Sequence, residues 1–255
     1  MVNVDKFVGK EYYENSDLQE IYGKDYYKKS YEIFKKWNVK AEFIRKILSP
    51  KKLLDIGCAE GWLVSELVKL NVDAYGIDGS IYALSKVEPS LKDRFQQVNL
   101  NLDKLPFEDQ TFDSISCLHT IEHIHLVEHF MKELFRVTKD SGRIWILTPS
   151  YEYVDMRTLG RSITDVNVKT PKEWESLFFD YGFIVKKQRH YGFINLKGRL
   201  APLRLYKLPE PLQTWAKYAI QWYLDNVRQR KKKLTKEASF VLIKPELHSD
   251  VKVET

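Results

Sequence analysis

The sequence predicts an α/β fold in which a seven-stranded, mainly parallel sheet carries helices on both faces. Short apolar runs alternate with segments of helical periodicity along most of the chain, and this alternation is typical of βαβ units. The 255 residues are enough for one well-buried domain with appendages, and the apolar fraction of 44% and the charged fraction of 30% are ordinary for a globular protein. A disordered or fibrous chain is therefore excluded.

The residues before the first predicted strand predict a helical cap. The stretch from Tyr12 to Leu48 is rich in Tyr, Lys and Glu, and its apolar side chains recur at about helical spacing. We expect one or two helices here that lie over the core. This interpretation divides the chain into a cap at residues 1–48 and a main domain at residues 49–255. The side chains with this spacing are Tyr31, Phe34, Trp37, Phe43, Ile44 and Ile47.

The first half of the main domain predicts four strands with helices between them. Each strand is a short apolar run, whereas the helices have apolar residues three and four positions apart. The predicted strands are residues 51–56, 72–77, 95–100 and 112–118. The predicted helices are residues 62–70 and 81–87. Strand and helix therefore alternate from the start of the domain.

The second half predicts three further strands and two helices. A turn at Ser141-Gly142 precedes the fifth strand, and Thr170, Pro171 and Gly182 are the cap, first position and end of the second helix. The predicted helices are residues 127–137 and 172–181, and the strands are residues 143–147, 183–187 and 240–243. Before the last strand lies an insertion at residues 190–236, in which residues 212–223 form an amphipathic helix.

A glycine turn between the first strand and the first helix predicts a ligand site. Gly57 and Gly61 let a ligand approach the backbone at the amino terminus of a helix. Asp78 ends the next strand, where a carboxylate can accept hydrogen bonds from both hydroxyls of a ribose. A dinucleotide is disfavoured, because Ala59 and Trp62 stand where that fingerprint has its second and third glycines. The ligand is thus expected to contain a nucleoside.

Several segments in order resemble one known family. Residues 54–61 match its opening acidic and glycine signature, with Ala59 in place of the middle glycine, and residues 105–113, 121–124 and 133–143 match its later loop, helix and strand segments. Over about residues 51–187 the chain resembles the class I S-adenosylmethionine-dependent methyltransferases, in the small-molecule branch that includes the enzymes of ubiquinone and menaquinone synthesis. The resemblance implies a Rossmann-like fold and S-adenosylmethionine as cofactor.

The resemblance also implies roles for individual residues toward that cofactor. Asp55 would organise the turn and the amino acid end, and Asp78 would hold the ribose. For the adenine, Asn99-Leu100 and Asn101-Leu102 both offer an amide, and Asn99 is favoured. The implied cofactor-binding residues are Asp55, Gly57, Cys58, Gly61, Asp78, Asn99, Leu100 and Leu118. Leu118 and His119 would lie near the methionine portion and the transferable methyl group.

Methyl transfer from a sulfonium is an in-line displacement, so the main task of the protein is to align donor and acceptor in a dry pocket. A hydroxyl acceptor would benefit from a general base, and His119, Glu122 and His123 are the candidates. A carbanion or a neutral amine would need none. The same residues match H-x-x-E-H, the signature of inverted zinc peptidases, which is a remote alternative. That alternative requires both histidines on one helix, whereas the main interpretation requires no metal.

The acceptor is expected to be a small molecule, such as a lipid or glycan precursor. The net charge of +6 is concentrated in residues 228–236, so methylation of RNA or protein is the second hypothesis, and a non-catalytic binding module is the third. The amphipathic and basic residues 211–236 could also contact a membrane surface. No secretion signal or membrane span is recognised, and Cys58 and Cys117 lie in core segments, so a reducing, cytoplasmic location is expected.

Overall fold

The computed structural model describes residues 37–149, 166–187 and 237–246, together with Lys207, Pro209 and Leu212. The helices in this part of the chain are α1 (Trp37–Leu48), α2 (Trp62–Lys69), α3 (Ile81–Leu84), α4 (Val127–Val137) and α5 (Pro171–Asp180), with 3-10 helices at Pro89–Arg94 and Ile121–His123. The strands are β1 (Lys52–Ile56), β2 (Asp73–Asp78), β3 (Phe95–Gln97), β4 (Phe112–Leu118), β5 (Thr138–Pro149), β6 (Ile184–Lys187) and β7 (Glu237–Ile243).

The described strands form one seven-stranded sheet in the order β3-β2-β1-β4-β5-β7-β6. The pairs β1–β2, β1–β4, β2–β3 and β4–β5 are parallel, and β7 runs antiparallel to both β5 and β6. The predicted α/β class with a mainly parallel sheet is thereby confirmed. Because the strand order reverses between β1 and β4, their carboxyl ends border the crevice where ligands bind in such sheets.

Both faces of the sheet are covered, which explains why nearly every residue of the central strands β1 and β4 is buried. Successive strand residues point to opposite faces, so Leu53 packs with α1 and α2, whereas Leu54 packs with α4 and α5. On the first face, Ala41, Ile44 and Leu48 of α1 are buried. That packing agrees with the predicted helix over the core. The remainder of the predicted cap, residues 1–36, lies outside the described residues. The same holds for the predicted insertion at 190–236 apart from three single positions, and thus for the basic residues 228–236.

Two predicted elements end earlier than expected, because side chains compete with the backbone for hydrogen bonds. The predicted helix at 81–87 stops at Leu84, and Ser85 Oγ donates to Tyr82 O at 2.7 Å. The predicted strand at 95–100 stops at Gln97. Beyond it, the Asn99 side chain accepts from Asn101 N at 3.1 Å, which makes a turn of Asn99 and Leu100.

The fifth strand is longer than predicted. We expected a turn at Ser141-Gly142 and a strand from Arg143, but β5 already begins at Thr138. Ser141 has a φ of 60°, and the register against β4 shifts between Phe112 and Ser114, so the predicted turn is an irregularity inside the strand.

Helix α5 begins at Pro171 as predicted and ends at Asp180, one residue before the predicted end. The Thr170 side chain accepts from Glu173 N, the Glu173 carboxylate accepts from Thr170 N at 2.7 Å, and Pro171 holds the first helical position. Gly182 follows the helix with a φ of 84°. None of the helices among the described residues is long and apolar enough to cross a membrane.

A partly buried ion pair anchors the loop between β3 and β4. Arg136 on α4 donates to Leu105 O at 2.9 Å and to Phe107 O at 2.7 Å, and it pairs with Glu133 at 2.7 Å. Glu133 in turn accepts from Leu105 N at 2.7 Å. The hydrogen bonds from Arg136 are the main cause that lowers the pKa of Glu133 below its ordinary value.

Replacing Arg136 with glutamine should lower the free energy of unfolding at pH 7 by about 2–4 kcal/mol, since Glu133 is left without its charged partner. A lowered pKa stabilises the fold above the ordinary carboxyl pKa, and this contribution disappears as the pH falls through the lowered value. The deficit of Arg136→Gln in urea unfolding should therefore shrink toward pH 3. Arg143→Gln, at an exposed residue, is the control, and an equal loss in both variants would contradict the assignment.

Candidate functional site

The glycine turn after β1 folds over the carboxyl end of β2. Gly57 N and Cys58 N donate to Ile77 O at 2.9 and 3.1 Å, and Gly61 N donates to Cys58 O at 2.9 Å. Gly57 and Gly61 have φ values of 75° and 76°, and Ala59 between them has 46°. Three residues in the left-handed region thus turn the chain sharply into α2, as the predicted strand, turn and helix require.

The two glycines are required by neighbouring protein side chains as well as by the backbone. A Cβ on Gly57 would overlap the Thr120 hydroxyl, and a Cβ on Gly61 would lie 2.5 Å from Phe95 Cζ. The sequence interpretation attributed these glycines to the approach of a ligand. The structure adds that Thr120 and Phe95 occupy the space that larger residues would need, which no local pattern indicated.

Asp78 ends β2 and ties the two loops of the site together. Its Oδ2 atom accepts from Ala59 N at 2.8 Å, and its Oδ1 atom accepts from Ser80 N at 2.8 Å. An ionised carboxylate offers two acceptor oxygens, which is the chemistry that a pair of donating hydroxyls requires. The residue therefore fits the predicted contact with the two hydroxyls of a ribose.

Asp55 lies in β1 beside this turn and is buried. Ser116 Oγ on β4 donates to Asp55 Oδ1 at 2.7 Å. Burial raises the pKa of Asp55 to about 7, although the hydrogen bond from Ser116 and the charge of Lys40 lower it. The carboxyl group can therefore change its charge when a cation binds nearby.

Lys40 is a charged residue of this region that the sequence interpretation missed. It lies on α1, is 6% exposed, and its Nζ atom is 4.3 Å from the centroid of the Trp37 ring. The available signal was a lysine on the apolar stripe of the helix, next to Ala41 and one turn before Ile44. A buried lysine is rare, and its charge acts on Asp55.

The two candidate asparagines have different surroundings. Asn101 is buried, and its Oδ1 atom accepts from His125 N at 2.7 Å and from Leu126 N at 3.1 Å, so it braces the start of α4. Asn99 is half-buried in the turn after β3, and Leu100 packs at the edge of the core. Both amide oxygens accept backbone donors within the protein, two at Asn101 and one at Asn99, which accepts from Asn101 N. Because Asn99 is more exposed than Asn101, it remains the better candidate for an adenine.

The candidate base residues follow β4. Leu118 is half-buried, and His119 has a φ of 55° with its N–H donating to Leu147 O at 2.8 Å. His119 Nδ1 lies 3.6 Å from Glu122 Oε1, and Thr148 Oγ1 donates to Glu122 Oε2 at 3.2 Å. His123 is half-buried, and its N–H donates to Thr120 O at 3.0 Å. The structure therefore brings His119 and Glu122 together.

The geometry does not suit the zinc alternative. His119 stands at a strand end with a positive φ, and Glu122 and His123 lie in the 3-10 helix Ile121–His123, so the two histidines do not share one face of an α-helix. Within the described residues, no three His, Cys, Asp or Glu side chains are grouped as metal ligands.

Carboxylates border the crevice along the ends of three adjacent strands. Asp78 is the last residue of β2, Asp55 lies in β1, and Glu122 follows β4, and all three are buried. An arrangement of this kind can accept hydrogen bonds from a sugar at one end and stabilise a positive charge at the other. These residues fit a cationic nucleoside ligand.

Comparisons with known proteins agree with this geometry. The family described as "Methyltransferase domain" matches residues 31–196. The chain is 29% identical over 114 residues to a mitochondrial ubiquinone biosynthesis O-methyltransferase of Schizosaccharomyces pombe, covering 42% of this chain and 40% of that protein. It is 28% identical over 127 residues to a ubiquinone/menaquinone biosynthesis C-methyltransferase of Agrobacterium fabrum, covering 45% of this chain and 48% of that protein.

A solved structure extends the similarity in fold to most of the chain. Phosphoethanolamine N-methyltransferase 2 of Haemonchus contortus, in complex with S-adenosyl-L-methionine, has a TM-score of 0.61 at 15% identity, and the match covers 96% of this chain and 61% of that one. At this identity the likeness shows the fold alone. The chain spans less than half the length of either curated relative.

Replacing Gly57 with alanine should lower the free energy of unfolding by about 2–4 kcal/mol, because the new Cβ overlaps Thr120 and alanine resists a positive φ. The control Gly182→Ala carries the positive φ without that overlap, since its Cβ would lie 3.2 Å from the Phe135 ring. In a Thr120→Gly background, the loss from Gly57→Ala should fall to that of the control. Equal losses in both backgrounds, measured by urea unfolding, would exclude the packing explanation.

The raised pKa of Asp55 should make the ligand-free protein less stable as the pH rises. The folded state holds the proton more tightly than the unfolded chain, whose carboxyl has an ordinary pKa of 3.8, so stability is lost between about pH 4 and pH 7. Asp55→Asn lacks this titration and should gain about 2–4 kcal/mol relative to the original protein across that range. Ser116→Ala should move the transition to higher pH, and parallel pH profiles for Asp55→Asn and the original protein would disprove the assignment.

Proposed function

Because this chain belongs to the methyltransferase domain family, with residues 31–196 matched, we propose that it transfers a methyl group from S-adenosylmethionine to a small-molecule acceptor. The observation that carries the proposal is the position of Asp78 at the end of β2, where its carboxylate closes the glycine turn through Ala59 N. The turn, the carboxylate and the crevice at the strand ends together fit a nucleoside cofactor.

In the proposed complex, the amino acid end of the cofactor lies near Asp55 and Lys40. The ammonium group of the cofactor would interact favourably with Asp55, and its carboxylate would interact favourably with the buried Lys40. This pairing gives both buried charges a function. A cation beside Asp55 would also hold that carboxyl in its ionised form at neutral pH.

The remaining contacts follow the order of the strands. Gly57, Cys58 and Gly61 would present backbone to the cofactor, Asn99 and Leu100 would border the adenine, and Leu118 would lie beside the methionine portion. Cys58 is buried, and its N–H already binds Ile77 O at 3.1 Å, so its contribution would be packing. The cofactor when bound supplies an activated methyl group on a sulfonium.

The chain itself would align the acceptor, exclude water and, for a hydroxyl acceptor, remove a proton. His119, Glu122 and His123 are the candidates for that last task, and His119 beside Glu122 is the pair that the geometry favours. The names of the curated relatives point to quinone precursors as acceptors, and a lipid precursor fits the same chemistry. Two alternatives depend on residues 211–236: methylation of RNA or protein, and contact with a membrane surface. The structure describes only Leu212 of that segment, so it supports neither alternative.

Calorimetric titration of the protein with S-adenosylmethionine and S-adenosylhomocysteine tests the cofactor site. We expect saturable binding of both, and a loss of affinity of about 10- to 100-fold in Asp78→Ala, because hydrogen bonds to a charged group are removed. The matched control is Asp113→Ala, since Asp113 also accepts two backbone donors, Lys51 N at 3.0 Å and Lys52 N at 2.9 Å, but at the opposite end of β1.

The control variant should bind the cofactor as the original protein does. If the folded original protein binds neither compound, the methyltransferase proposal is wrong. If it binds both but transfers no methyl group to any quinol, catechol or sterol acceptor, the non-catalytic binding module becomes the better explanation.

A further inference from the structure

We propose that Glu122 and Thr148 are positioning residues that hold His119 as the general base, and that the acceptor is therefore a hydroxyl compound. This inference rests on the proposed function and names the substrate class of the same site. It separates the three candidate residues by role: His119 meets the acceptor, whereas Glu122 acts through His119, and Thr148 acts through Glu122.

The burial of Glu122 assigns its role. Its side chain is 2% exposed, so an acceptor in the crevice does not reach it. One carboxylate oxygen faces His119 Nδ1 at 3.6 Å, and the other accepts from Thr148 Oγ1 at 3.2 Å. Its backbone carbonyl accepts from Asn167 N at 2.9 Å, which fixes the main chain as well. A buried carboxylate held from both sides orients a neighbour and does not itself react.

The position of His119 suits the base. The residue directly follows β4 at the crevice, and a third of its side chain is exposed. Its backbone is held in the left-handed region, with a φ of 55°, by the hydrogen bond to Leu147 O. Histidine adopts that region more readily than most residues, so the turn at the end of β4 fits this residue type. The separation of 3.6 Å from Glu122 is longer than a hydrogen bond, and such distances shorten when a substrate binds.

The carboxylate determines which ring nitrogen carries the proton. A carboxylate facing Nδ1 favours the Nδ1–H tautomer of neutral imidazole and leaves the lone pair on Nε2, at the opposite edge of the ring. Nε2 can then take the proton of an acceptor hydroxyl. The hydroxyl oxygen forms a bond to the methyl carbon while the carbon–sulfur bond breaks, its electron pair passes to the sulfur, and the imidazolium is stabilised by Glu122. The products are a methyl ether and S-adenosylhomocysteine, and the proton then leaves His119 for water.

Thr148 can be tested with a closely matched control on its own strand. Thr148 and Thr138 are both fully buried in β5, and Thr138 Oγ1 donates to Leu134 O at 2.6 Å, far from the crevice. Thr148→Val and Thr138→Val therefore each remove one buried hydroxyl that donates a hydrogen bond. Only the first should affect His119.

The tautomer of His119 can be measured without an acceptor, by long-range ¹H–¹⁵N NMR of the histidine rings in the cofactor-free protein at pH 8. We expect the Nδ1–H form to exceed the Nε2–H form by about tenfold, the ratio that attraction between the Glu122 carboxylate and the Nδ1–H dipole supports at 3.6 Å. Glu122→Leu should reverse this preference, Thr148→Val should reduce it severalfold, and Thr138→Val should leave it unchanged. Thr148→Val is nearly isosteric, so it remains informative if Glu122→Leu does not fold.

Two results would overturn the inference: a predominant Nε2–H form in the original protein, or equal ratios in Thr148→Val and Thr138→Val. Binding of S-adenosylhomocysteine, measured by calorimetry on the same samples, separates the two proposals. If S-adenosylhomocysteine binds normally and either result is found, the proposed roles of His119, Glu122 and Thr148 are wrong, whereas the proposed cofactor site is still supported. Absence of binding removes the methyltransferase proposal, whereas the tautomer ratios still decide whether the buried pair orients His119.

Discussion

The rest of the site depends on the two backbone hydrogen bonds that the Asp78 carboxylate accepts. It accepts one backbone N–H from the turn after β1 and one from the turn after β2, so a single side chain sets the relative position of both loops. Neither loop belongs to a regular element, and without this carboxylate the buried N–H of Ser80 and the half-buried N–H of Ala59 would lose their partner. The crevice between β1 and β4 follows from the order of the strands, but its shape at the cofactor end follows from this carboxylate.

Much of the fold could be predicted from the sequence because its elements are specified locally. The capping box of Thr170 and Glu173 and the short strand sequence of β4 are properties of neighbouring residues, and both elements are where they were expected. The early ends of α3 at Leu84 and of β3 at Gln97 also have a local cause, because hydroxyl and amide side chains there hydrogen-bond to the backbone. The spacing of apolar residues does not predict such bonds.

The parts of the site that could not be predicted come from contacts between distant segments. The Thr120 side chain explains why residue 57 is glycine. The charge of Lys40, on helix α1, lowers the pKa of Asp55 in β1. The sequence identified Glu122 by resemblance, but its burial and its bond from Thr148 depend on how β5 lies beside the 3-10 helix. The residue types could be identified from the sequence, but the role of each residue could be assigned only from the fold.

The antiparallel strand β7 has a consequence for how the chain assembles. It lies between β5 and β6, and its pairing with β5 joins residues 88 to 100 positions apart, from Pro149 and Glu237 to Arg143 and Ile243. Strand β6 is synthesised earlier but has β7 as its neighbour in the sheet, so it stays unpaired while the intervening residues leave the ribosome. Lys244 then donates to Phe135 O and Thr138 O and joins this late segment to the junction of α4 and β5. The half of the sheet that would bind the cofactor can therefore form first, and the closing of the opposite edge is a slow, long-range step during which β5 exposes an unpaired edge.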